Sequence, residues 1–99
     1  MVLRALAVAT LLLFSSCGLR LAAENQQRIN HVRIGQTLAE VERTMGRGPE
    51  RRSTRLRFDG LSIEEWSYVT DYMRHADTMI TFVGGKVVEI RIVPWEEKD

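Results

Sequence analysis

The chain has one cysteine, Cys17, in 99 residues. An intramolecular disulfide is therefore excluded, and so is a zinc site built from several thiolates. Histidine is nearly as scarce. His31 and His75 stand 44 positions apart, with no ligand spacing between them, and both read as exposed polar residues. A glycine-rich phosphate loop is missing, since Gly84-Gly85 suits a hairpin better. The adjacent carboxylates Glu64 and Glu65 fall in a segment of strand period, where neighbours point to opposite faces and cannot act as an acid–base couple. No long hydrophobic run is present either. Residues 5–14 are apolar apart from Thr10, and a helix of that length, at about 1.5 Å per residue, crosses roughly half of a ~30 Å hydrocarbon core. These absences leave no catalytic residue, metal ligand or cofactor site to nominate, and the expectation is a protein that is not an enzyme.

What is present begins with order at the amino end. A positive start, the Met1 amine and Arg4, precedes the apolar run, and Phe14-Ser15-Ser16-Cys17 follows it. This is the sequence of regions found in a secretory signal. Phe14, Ser15, Ser16 and Cys17 resemble the lipobox of bacterial lipoprotein precursors, departing from it in having phenylalanine where leucine is usual. The resemblance implies a signal peptide over residues 1–16, removal of that segment and acylation of Cys17 as lipid attachment point. Gly18, standing where aspartate would signal inner-membrane retention, implies the periplasmic leaflet of an outer membrane. Several acyl chains, at about 0.8 kcal/mol per buried methylene, suffice for stable anchoring. A nucleophilic thiol would need His31 or His75 beside it, and a plain buried cysteine is the remaining alternative.

Beyond the leader the chain suffices for one small domain. Its charge is uneven. Residues 18–57 carry nine basic and four acidic side chains, and residues 58–99 carry four basic and nine acidic. Such a chain has no overall attraction for nucleic acid, although it can offer a basic patch to acidic lipid head groups or to an acidic protein surface; solvated pairing within the fold is the plainer reading.

Residues 17–28 show little periodicity and are expected to form a lipidated tether, with a brief helix starting near Glu24. Thr37-Leu38-Ala39-Glu40 is a capping box. Leu38, Val41 and Met45 then recur at helical spacing, Gly46 supplies a left-handed end, and Gly48-Pro49 stops the helix. After Pro49 the period falls to two. Leu56 and Phe58 are expected on the face shared by Trp66 and Tyr68, which a three-residue loop of Asp59, Gly60 and Leu61 achieves; that register sets Arg55 opposite Glu65. The polar stretch 70–77 reads as a loop. Ile80 and Phe82 define the inner face of a third strand, and Val88, Ile90 and Ile92 that of a fourth, joined by a three-residue Gly84-Gly85-Lys86 loop with one glycine at positive φ. Pro94 ends the last strand or keeps it at an edge, ahead of an acidic tail at 96–99. The expected fold class is α+β: one or two short helices on a three- to four-stranded antiparallel meander, one sheet face covered and the other left to water or a partner.

Ile34-Gly35-Gln36-Thr37, Val41, Met45-Gly46, Gly48-Pro49, Trp66-Ser67-Tyr68 and the stretch 82–90 together resemble the BamE (SmpA/OmlA) domain of small outer-membrane lipoproteins, over about residues 29–92 of a domain bounded at 29–95. Gln36 replaces the family's methionine, Met45 its leucine, and Gly46-Arg47-Gly48-Pro49 is one residue longer than Gly-x-Pro. The structural motif comprises Gly35, Thr37, Glu40, Gly46, Pro49, Trp66, Tyr68 and Gly85, and Trp66, Tyr68 and Phe82 read as core aromatics. The resemblance implies a non-catalytic accessory subunit of outer-membrane β-barrel assembly that binds a lipoprotein partner and phosphatidylglycerol. Arg51, Arg55 and Arg57 are the candidates for the anionic contact. Two other readings stand beside it: a periplasmic inhibitor or stress lipoprotein that binds an envelope enzyme through its sheet, as domains resembling β-lactamase-inhibitor proteins do, and an anionic-lipid-binding module.

Overall fold

The computed structural model describes residues 17–97; residues 1–16, expected to be a leader, the Cys17 side chain and the end of the expected acidic tail lie outside the described part. Helices α1 (Cys17–Ile29) and α2 (Leu38–Met45) precede strands β1 (Arg51–Leu56), β2 (Ser62–Asp71), β3 (Ala76–Val83) and β4 (Lys86–Pro94), and a 3-10 turn (Trp95–Glu97) follows. The strands form one antiparallel sheet in the order β1-β2-β3-β4. This is the expected α+β meander.

Period-two alternation sends Trp66 and Tyr68 of β2, Ile80 and Phe82 of β3 and Val87 of β4 to one face. There they meet Ile29, Val32, Val41 and Met45 from the helical side to form the core. Trp66 and Phe82 pack with ring centroids 4.9 Å apart, and each large apolar side chain so buried contributes about 1.5–3 kcal/mol. α2 starts as its capping box dictates. Thr37 Oγ1 accepts from the Glu40 amide at 3.2 Å and Glu40 Oε1 from the Thr37 amide at 3.4 Å. Gly46 ends the helix at φ 77°, its amide donating to Glu42 O at 2.8 Å.

α1 begins at Cys17, well ahead of the expected start near Glu24, and the stretch 17–28 read as a tether is helical. It packs on the sheet, burying Ala22, Asn25 and Ile29. Its apolar positions are too few to announce it. Polar contacts add to the burial of Ala22 and Ile29: Asn25 Nδ2 donates to Glu50 Oε1 at 3.0 Å and to Val69 O at 2.9 Å, and Arg28 Nη1 to Met45 O at 3.0 Å.

Both hairpins keep the expected parity by other means. Leu56 pairs with Ser62 and Arg55 with Ile63, so Arg55 does not face Glu65; Ser53 does. Five residues, 57–61, join the strands where three were expected, with Arg57 N donating to Leu61 O at 2.8 Å inside the connection and Gly60 at φ 86°. Phe58 consequently stands in the turn, 101 % exposed, and Leu56 is exposed too. Between β3 and β4 the turn has two residues, Gly84 and Gly85, both at positive φ, and Val83 pairs with Lys86. That is the geometry a tight hairpin favours. Phase is restored by a bulge at Val88, since Thr81 pairs with Glu89 but Phe82 with Val87. Val87 therefore fills the inward position expected of Val88, and Val88 and Ile92 are exposed. The stretch 70–77 is half strand rather than all loop, as Asp71 pairs with Ala76 and 72–75 turn. Trp95 is held after Pro94 by its amide to His75 O at 2.8 Å.

Candidate binding surface

Among the described residues, the helices leave the opposite face of the sheet largely uncovered. On it stand Arg51, Ser53 and Arg55 of β1, Glu65 and Ser67 of β2, Met79 and Thr81 of β3, and Glu89 and Arg91 of β4. The sheet is hollowed there. An open depression of about 740 Å³ is lined by Arg51, Ser53, Glu65, Ser67, Met79 and Arg91, among others. Its walls mix charge with apolar surface, a combination suited to a peptide or protein segment more than to a purely apolar ligand.

The three nominated arginines do not form one cluster. Arg51 and Arg55 flank Ser53 on the uncovered face, both exposed, and neither joins an ion pair among the described residues. Arg57 is half-buried and tied to Asp59 across the turn. That guanidinium, together with the Leu61 amide at 3.2 Å, holds the Asp59 carboxyl below its ordinary value. Arg91 is engaged more loosely, its Nε 3.1 Å from Glu89 Oε1 and its Nη2 3.6 Å from Met79 Sδ. Arg91, Ser67 and Met79 join this face although no sequence motif marks them; their outward parity follows once the inward residues are assigned. Arg52 turns the other way and lies over Trp66 at 4.9 Å from the ring centroid.

The structural motif residues act within the fold. Gly35, at φ 92°, donates to Val87 O and Gln36 O accepts from Val87 N, both at 2.8 Å, so the segment before α2 covers part of the β4 edge. Tyr68 is buried, its hydroxyl donating to Arg47 O at 2.9 Å, and burial pushes that hydroxyl's pKa up. Glu64 and Glu65 point to opposite faces, and Glu64 accepts from Trp66 Nε1. His31 and His75 are exposed, His75 stacking on Trp95 at 4.7 Å. Among the described residues no group of three or more His, Cys, Asp or Glu side chains is placed to hold a metal ion. No described helix is long and apolar enough to cross a membrane.

Fold and surface together define a small α+β domain with helices on one face of an antiparallel meander and an open, mixed-charge depression on the other. No protein-family model, curated protein or solved structure matches the chain.

Proposed function

We propose that this protein is a lipid-anchored, non-catalytic binding protein of the cell envelope that grips a partner on its uncovered sheet face. The observation carrying the reading is that face itself: a four-stranded sheet whose described helices lie on one side, with a depression on the other and, among the described residues, two arginines there that join no ion pair. The lipobox-like Phe14-Ser15-Ser16-Cys17 supplies the anchor. The order of capping box, Trp66-Ser67-Tyr68 strand and glycine hairpin favours the finer reading, an accessory subunit of outer-membrane β-barrel assembly.

A photo-crosslinking residue at Ser53, in the full chain expressed in its envelope, tests both levels. Crosslinks to barrel-assembly subunits that fall when Arg51 and Arg55 are replaced by glutamate support the finer reading. Crosslinks to an envelope enzyme move the assignment to the inhibitor reading. Crosslinks equally abundant from Ser53 and from Glu42, on exposed α2 surface, overturn the sheet face as the docking surface. Intact-mass measurement of the membrane-extracted chain reports separately on leader removal and Cys17 acylation.

A further inference from the structure

The end of the molecule that carries Cys17 is also an end with exposed apolar side chains. Built on Gly18, a Cβ would lie 3.1 Å from Tyr72 Cε2, so the first turn of α1 sits against the β2–β3 hairpin tip. That tip shows Met73 at 77 % exposure and Tyr72 at 44 %, with Leu19 of α1 at 43 %. It is a built feature. The Tyr72 ring meets His75 and Trp95 edge-on at 6.4 and 6.0 Å, Arg74 N donates to Asp71 Oδ1 at 3.0 Å, and His75 adopts φ 53° to close the turn.

Two residues, Ser15 and Ser16, separate Cys17 from the apolar run that ends at Phe14. At about 3.5 Å per residue, either an acyl chain on Cys17 or the leader itself meets the lipid within roughly 10 Å of α1's first turn. Tyrosine is enriched at the head-group level of bilayers, and arginine stems lie along apolar surface with their charge in water. Tyr72, Met73 and the exposed Arg20 and Arg74 provide those elements, with Asp71 an acidic neighbour 3.8 Å from Arg74 Nε. The β1–β2 tip cannot reach the same plane. β2 has ten residues, and at about 3.3 Å each it sets Phe58 roughly 30 Å from Tyr72.

We infer that the β2–β3 hairpin tip, with Tyr72 and Met73 at its apex and Leu19 beside it, is a membrane-contacting surface that seats in the head-group region beside the anchor. The inference rests on the anchored reading above, and it adds an orientation: β strands standing away from the bilayer, the Phe58 turn farthest from it.

The test uses the full chain extracted from membranes and reconstituted into phosphatidylethanolamine–phosphatidylglycerol vesicles whose acyl chains are brominated near the head group. Met73→Trp should add emission that the brominated lipid quenches several-fold more than the emission added by Phe58→Trp. Equal quenching at the two positions overturns the membrane contact. Shielding of the Met73→Trp indole from aqueous iodide without quenching by bromine assigns the tip to a second copy and overturns it as well. Intact mass separates the two levels: an acylated chain with an unquenched tip leaves the anchored reading standing and removes this one, whereas a chain with neither leader nor acyl group removes both.

Discussion

Gly46 shows how much a single residue carries. It is left-handed, and a Cβ there would stand 1.7 Å from Arg28 Nη1, the atom that donates to Met45 O at 3.0 Å. Alanine therefore meets two penalties, about 1–2 kcal/mol for a left-handed backbone and the displacement of a charged donor from a helix-end carbonyl. Gly46→Ala should lower stability by about 2–3 kcal/mol in chemical denaturation. In an Arg28→Ala background the same change should cost only the backbone part. Fully additive losses would show that Arg28 does not press on this glycine. Half of this was readable beforehand: Gly46 after Met45 marks a helix end, whereas the arginine that crosses it comes from a helix whose sequence gave little sign of docking.

At the scale of elements, α2 was legible because its capping box and apolar spacing are local, and the inward sets of β2 and β3 because alternation is local too. The hairpins were legible only in parity. An odd loop and a tight turn plus a bulge bring the same residues to the same face, so alternation alone cannot separate them, and Val87 and Val88 exchange roles without any change in composition. The β1–β2 turn has its own signature. Arg57 and the Leu61 amide stabilise the charged form of Asp59, so its folded value lies below its unfolded one. The sign follows from linkage: this contribution is complete above the unfolded aspartate value of about 3.9 and disappears as pH falls through the lower folded value. A carboxyl-carbon NMR titration should give Asp59 a midpoint below the ordinary aspartate value, and Arg57→Gln should raise it. An unchanged midpoint would remove Arg57 as the main cause.

Across the whole molecule, α1 covers part of the sheet with Ala22 and Ile29, and a buried polar side chain adds to that fit. Asn25 is fully buried, donates to Glu50 and to the Val69 carbonyl, and leaves its Oδ1 without a hydrogen-bond partner among the described residues. The second Glu50 oxygen accepts from Val69 N at 3.2 Å, so helix, β1 entry and β2 meet at one point. Sequence alone does not single out this asparagine, because its partners lie 25 and 44 residues away. Asn25→Ala removes the donor and should cost about 1–3 kcal/mol. Asn25→Asp sets an unpaired carboxylate against two acceptors and should cost several kcal/mol at neutral pH. Burial and Glu50 both disfavour that charge, so the introduced acid has a folded value above its unfolded one, and its deficit relative to alanine should shrink as pH falls and grow as pH rises. Urea denaturation at two pH values, followed by helical circular dichroism and by tryptophan emission, checks this: the two probes should move together because α1 and the sheet unfold as one unit. An aspartate variant no weaker than alanine at neutral pH would mean that the Asn25 site does not hold an unpaired charge away from water.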